Sequence, residues 1–488
     1  MRQFRSFRFI AAGLIGLLPG THALGFQPAS TTTPIKHLVV IFQENNSFDH
    51  YFATYPNAMN PPGEAAFVAK PNTPSVNGLT GPLLTNNPNS VAPYRLDRSQ
   101  ASTCDNDNHY TDEQKAYHGG LADKFPENTN ATATGCPPGL VMGYYDGNTV
   151  TAMWNYAQNY AMSDNFFATN FGTTVMGHLN LLSGQTHQTG VDSLPGTIAN
   201  GSVIANLNPV DDDCTKGAVV RMTSKNVGDL LNAKTVTWGW FYAEFDPLAT
   251  ANGVAQCSSI YNAHYAPFQY WASTSNPHHL PPSSPDMIGQ TDQANHQYSL
   301  ATFWNMIADG GTLPAVTFLK ATSLQTGHPA DSTPLAEQAF LVQTINYLES
   351  LPEWSDMAIL ITYDDSDGWY DHVMPPIVNT SADSANDALA GPAGLCGVLA
   401  SGAYNDRCGY GPRLPLVVIS PFAKQNFVDH TLADQSSVLR FIEDNWKLGR
   451  IGDQSFDAMA GSLLNLFNFT GPPAPPLFLD PVTGQIVK

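Results

Sequence analysis

Short, uninterrupted apolar runs recur along the chain, at residues 38–42, 236–241, 315–319, 358–363 and 416–419. They are rich in β-branched and aromatic residues and carry no alternating polar positions, the pattern of strands buried on both faces. Between them the period changes. In 336–351, Phe340, Leu341, Ile345 and Leu348 share one helical face and Pro352 ends the run; in 437–448, Val438, Leu439, Phe441, Ile442 and Trp446 repeat the pattern. Strands alternating with helices predict an α/β fold, a central sheet with helices on both faces. Two stretches break the rhythm. Residues 56–138 are rich in Asn, Pro, Ser and Thr, and 198–285 are similar and end in "NPHHLPPSS". Both read as long insertions able to cap a site. The expected organisation is one catalytic domain over residues 24–470 and a Pro-rich surface tail over 471–488.

Composition narrows the function classes. A formal net charge of −20 argues against nucleic-acid binding, which needs basic patches. Arg2, Arg5 and Arg8 precede a short apolar run at 9–18, then Pro19-Gly20 and small residues, which predicts an export signal over residues 1–23. That run is too short to cross a bilayer, and no later run approaches the roughly 20 apolar residues needed. The expectation is a secreted or periplasmic protein without stable membrane insertion. In an oxidising compartment six cysteines predict disulfides, and sequence neighbours pair most economically: Cys104/Cys136, Cys214/Cys257 and Cys396/Cys408.

Candidate chemistry gathers where the apolar runs stop. In "ILITYDDSDGWYDHV", a strand ends in Asp364, Asp365 and Asp367, with Asp371 and His372 behind. Carboxylates crowded at the mouth of a buried strand repel one another unless something positive sits among them, and a metal ion is the usual reason. The first run delivers Glu44 and Asn45 at its own end. In α/β sheets ligands bind at the carboxyl ends of strands. Three carboxylates and an amide oxygen are hard ligands for one divalent ion: Ca²⁺, Mg²⁺ or Mn²⁺, with Zn²⁺ or Fe also acceptable. Between them, Phe171-Gly172-Thr173-Thr174 reads as a turn feeding a helix, whose first N–H groups can cradle a phosphate. His178 follows Thr174 by one helical turn, His328 lies in the loop after the 315–319 strand, and His109, His278 and His279 lie in the two insertions. Together they offer cations for a phosphate and a general acid for its leaving group.

"HLVVIFQENNSFDHYF", "FGTTVMGHLNLLSGQT", "TGHPADSTPLAEQAF" and "ITYDDSDGWYDHV" resemble, in this order, the signatures of the bacterial phospholipase C and acid phosphatase family of phosphoesterases. The likeness runs from about residue 35 to 446. It implies an alkaline-phosphatase-like central sheet, with Glu44, Asn45, Asp364, Asp365 and the nucleophile Thr174 on one divalent metal ion. By the same resemblance His328 would face the phosphate, and His109, His278 and His279 are similar to the family's additional site histidines. The expectation drawn from this is that His328 and His279 act on the leaving group, while His109, His278 and, one helical turn after Thr174, His178 face the substrate. Thr173 stands where many relatives have Pro, so two adjacent hydroxyls compete; Gly177-His178-Leu179 fixes the register on Thr174. Asp364-Asp365-Ser366-Asp367 resembles the acid phosphatase branch, and the chain ends without the C-terminal β domains of the larger phospholipases. The implied function is an exported acid phosphatase working through a phosphothreonine, on phosphate ester substrates. The alternative is a phospholipase C-type phosphodiesterase with the same site, and the distant one an inactive, metal-stabilised binding protein.

Overall fold

The computed structural model describes residues 30–192, 197–245, 249–251, 254–389, 395–396, 399 and 401–487. The predicted export signal, 1–23, lies outside them. Eight strands form one mixed sheet: β1 (His37–Gln43), β2 (Ala161–Ser163), β3 (Trp238–Tyr242), β4 (Gln297–Ser299), β5 (Val316–Lys320), β6 (Met357–Tyr363), β7 (Leu416–Ile419) and β8 (Phe427–Asp429). Their order is β4-β3-β5-β1-β6-β7-β2-β8. The first five are parallel; β7 runs against both its neighbours, and β8 is parallel to β2. All five predicted apolar runs are strands of this sheet.

Register sets the site. β1 pairs with β6 from His37 opposite Met357 through Gln43 opposite Tyr363, so Glu44 and Asp364 leave the sheet side by side. On the other flank Ile41 pairs with Leu319, and Lys320 ends β5 one residue further on.

The main helices are α1 (Tyr110–Tyr117), α2 (Thr151–Asn159), α3 (Thr174–Ser183), α4 (Leu300–Ala308), α5 (Pro334–Glu349) and α6 (Gln435–Trp446). Successive strand residues point to opposite faces. Phe42 meets the ring of His178 on α3 edge-on, whereas Tyr363, level with the next residue Gln43, donates its hydroxyl to Glu337 of α5. Helices α3 and α5 therefore cover opposite faces, as the alternating pattern requires. The two predicted helices begin two residues early, because their caps do: Thr333 caps α5 ahead of Pro334, and Asp434 closes a capping box on α6.

One buried apolar cluster runs from Ile35 to Leu479 and takes in Phe67, Tyr110, Val220 and Trp271 from the two irregular stretches. Residues 198–285 are thus not a single excursion: β3 lies inside the sheet between β4 and β5, because Trp238, Trp240 and Phe241 are buried there. Two hydrogen bonds tie the C-terminal stretch to helices: Asn155 of α2 donates to the Gly484 carbonyl at 2.8 Å and Asn346 of α5 to that of Leu479 at 2.8 Å. The three expected disulfides are formed: Cys104–Cys136, Cys214–Cys257 and Cys396–Cys408. Among the described residues no helix is long and apolar enough to cross a membrane.

Candidate active site

Asn45 stands in the left-handed region, at φ 49°, which Asn tolerates better than most residues. That turn aims its backbone N–H at Asp364 Oδ1, 3.0 Å away, where the Asp365 N–H also arrives at 2.8 Å. One oxygen of Asp364 is thereby held. The other, Oδ2, is buried without a hydrogen-bond partner, and so are Glu44 Oε2 and Asn45 Oδ1. Buried polar atoms are nearly always paired, since each orphan costs roughly 1–3 kcal/mol. Three orphaned oxygens on three adjacent residues fit a hard divalent ion, and Glu44, His178 and Asp364 offer ligand atoms within 4.8 Å of one another.

Asp365 is held from two sides. Its Oδ1 accepts from Asn108 Nδ2 at 2.9 Å and the Asp367 N–H at 2.7 Å, and its Oδ2 accepts the Thr174 hydroxyl at 3.3 Å. Thr174 opens α3, with Thr173 in the N-cap position and its own hydroxyl buried and unpartnered. Of the two competing hydroxyls, the one hydrogen-bonded to the carboxylates belongs to Thr174. Helix α3 approaches so closely that a Cβ on Gly177 would lie 2.0 Å from the Asp364 carbonyl oxygen. From α6, Gln435 Nε2 donates to the same carbonyl at 2.6 Å. A third tie comes from α1: Glu113 accepts the Ser366 hydroxyl at 2.5 Å on one oxygen and the Gly172 N–H at 2.9 Å on the other.

The charges are crowded. Burial, then the Asp364 charge, push the Glu44 carboxyl well above its usual range against the pull of Lys320. Burial and Asp364 likewise push Asp365 up, and burial takes Glu113 to about 8. Burial and Lys320 hold His178 well below its ordinary value, so the ring is neutral; Nδ1–H donates to the Thr174 carbonyl at 2.9 Å and Nε2 is left without a partner.

The predicted histidines divide. His328 ties Nδ1 to the Pro329 carbonyl at 2.6 Å and lies with Asp105 and Asp367 in a group whose ligand atoms are within 4.8 Å. Asp367 in turn accepts from Asn45 Nδ2 at 3.0 Å, which places His328 at the mouth of the site. His109 is exposed on Asp107, 2.5 Å away, next to the Asn108 that holds Asp365, and it lines an open depression of about 530 Å³ with Asp105, Asn106 and Ala330. His278 and His279 belong elsewhere. His278 is exposed on Asp213 at 2.7 Å. His279 is buried against Phe245, with Nδ1 on the Phe245 carbonyl at 2.9 Å and Nε2 on Asp212 Oδ1 at 3.0 Å. Both its ring nitrogens are committed to a separate polar cluster, so the expectation that it serves the leaving group is withdrawn. The residues missed by sequence are Lys320, Glu113, Asn108 and His264. His264 is pushed down to about 3, by burial first and then by Lys320 and His328.

These residues span the region where the chain matches a known family. The Phosphoesterase family matches residues 35–449, and the protein belongs to that family. Among curated relatives, the chain is 26% identical to the non-hemolytic phospholipase C of Pseudomonas aeruginosa, over 99% of this chain and 66% of that protein. It is 24% identical to phospholipase C A of Mycobacterium tuberculosis, over 93% of this chain and 82% of that one. It thus spans about two thirds of the length of the Pseudomonas relative. Of solved structures, it is similar to a Vibrio parahaemolyticus protein in the alkaline phosphatase superfamily at 10% identity, over 86% of this chain and 71% of that one, with a TM-score of 0.33, a likeness too loose to carry any argument about the site.

Proposed function

We propose that the protein is an exported, metal-dependent phosphoric ester hydrolase with Thr174 as nucleophile, acting on phosphodiesters in the manner of a phospholipase C. The observation that carries the reading is the Thr174 hydroxyl hydrogen-bonded to Asp365 beside three buried, unpartnered oxygens of Glu44, Asn45 and Asp364. Glu44, Asn45, Thr174, Asp364 and Asp365 would hold one divalent ion, which when bound supplies Lewis acidity toward the phosphoryl oxygens and a lowered hydroxyl pKa. Asp365 Oδ2 receives the Thr174 proton. The threonine oxygen then attacks phosphorus in line, the bond to the leaving oxygen breaks, and a phosphothreonine forms. The N-terminus of α3 faces the phosphate's negative charge. His328, with Nδ1 fixed on the Pro329 carbonyl, would protonate the leaving alcohol through its other nitrogen and then deprotonate the water that displaces the threonine oxygen; that oxygen regains its proton from Asp365, and the phosphorylated headgroup, a phosphomonoester, leaves.

The diester reading is supported by the relatives, which are named phospholipases C. The Asp364-Asp365-Ser366-Asp367 sequence favours a second reading, a phosphomonoesterase with the same site. Export is supported by the three disulfides. The deciding experiment compares p-nitrophenyl phosphorylcholine with p-nitrophenyl phosphate on metal-loaded protein, with Thr174→Ala as control. Faster turnover of the diester, reduced at least about a thousandfold in the variant, is expected. Preference for the monoester would move the assignment to a phosphatase, and activity on neither would leave a metal-stabilised binding protein.

A further inference from the structure

Lys320 is the last residue of β5, fully buried, at the sheet edge where Glu44, Asp364 and Asp365 gather. A buried ammonium is costly unless paired, and the apolar run before it gives no packing reason for a charge. Its ion pair is with Glu44 Oε1, and its Nζ lies over the rings of Tyr265, at 4.6 Å, and Phe42, at 5.5 Å. The pairing uses one carboxylate oxygen only; Glu44 Oε2 stays buried and unpartnered. Glu44 thus has one oxygen taken by a cation built into the chain and one left to receive an ion.

We propose that Lys320 is a positioning residue of this centre: its ion pair holds one oxygen of Glu44, leaves the other for a metal ion, and favours a divalent ion over a trivalent one. The inference rests on the metal-dependent reading above and extends it. A positive group this close to the metal position opposes a higher-valence ion more strongly than a lower-valence one. The buried aromatic walls keep water from screening the ammonium, so its charge acts at close to full strength on the neighbouring ion.

The test is metal binding, independent of turnover. The full chain is stripped with chelator, reloaded with Mn²⁺ and desalted, and metal per chain is counted; one ion is expected. Tb³⁺ is then competed against Mn²⁺ in wild type, Lys320→Met and Lys320→Arg. Loss of the ammonium should raise preference for the trivalent ion at least about tenfold in Lys320→Met, because a nearby unit charge weighs more on a higher valence. Lys320→Arg, which keeps the charge, should stay near wild type. An unchanged preference in Lys320→Met overturns the proposal. Lys320→Gln, which keeps a donor and loses the charge, is measured alongside so that the test stands if the methionine variant does not fold; an unchanged preference there overturns the proposal and leaves the hydrolase reading standing. No bound metal in wild type overturns the metal-dependent reading and this one with it.

Discussion

Two clusters of buried acids follow β1 and β6, and they are satisfied in opposite ways. Asp49 and Asp371 enclose Arg413, which donates through Nε to Asp371 at 2.9 Å and through Nη2 to Asp49 at 3.2 Å. The remaining Asp49 oxygen takes the His372 ring at 2.6 Å, and Arg413 Nη1 reaches the Asn77 and Asp164 carbonyls. Every charge there has a protein partner. Glu44, Asn45 and Asp364, a few residues upstream on the same two segments, leave three oxygens unpaired at equal depth. Burial and acidity are therefore common to both, and only the unmet valences separate a site from a scaffold.

That contrast can be broken experimentally. Arg413→Met strands two buried carboxylates and should destabilise the fold by about 3–5 kcal/mol, read from the denaturation midpoint. The folded fraction should still bind its metal; parallel loss of metal would merge the two clusters into one. Asp364→Asn should weaken metal binding by at least about 100-fold while the metal-free protein melts no lower than wild type, since the amide relieves repulsion with Glu44 and Asp365. A marked fall in the apo melting temperature would mean that Asp364 holds the fold together as Asp371 does. The smallest effect concerns His372. Burial disfavours its cation, but Asp49 and Asp371 outweigh burial and raise its pKa above the ordinary 6.5. Its contribution is thus complete below about pH 6.5 and is lost as pH rises through the raised value. His372→Asn should remove up to about 1 kcal/mol at pH 6 and less at pH 9. A difference that does not shrink with pH would show that the imidazolium charge is not what stabilises.

Much of this was legible in the chain. Apolar runs such as 358–363 announce central parallel strands because both faces are covered, and the rule that ligands gather at strand ends then picks out Glu44, Asn45, Asp364 and Asp365. The short strands β2, β4 and β8 were not, because three residues carry no period and pair only through tertiary contacts. Asp371 could not be told from Asp364 without knowing that Arg413, 42 residues on, would fold back on it. Lys320 had a signal that went unused: it is a charge closing an apolar run, the same pattern that marks Asp364. Glu113 had none, since an acid in the first turn of a helix is ordinary, and its tie to Gly172 and Ser366 exists only in three dimensions.

The contact at Gly177 fixes the spacing between Thr174 and Asp364 through two main chains, with no side chain between them. Any substitution at Gly177 adds at least a methyl and pushes the helix off the strand, so this spacing is set by the backbone itself. The depression beside His109 and Asp105 is built instead from loop side chains. Substitutions there would change the lining of the depression while leaving the main-chain contact between helix and strand in place.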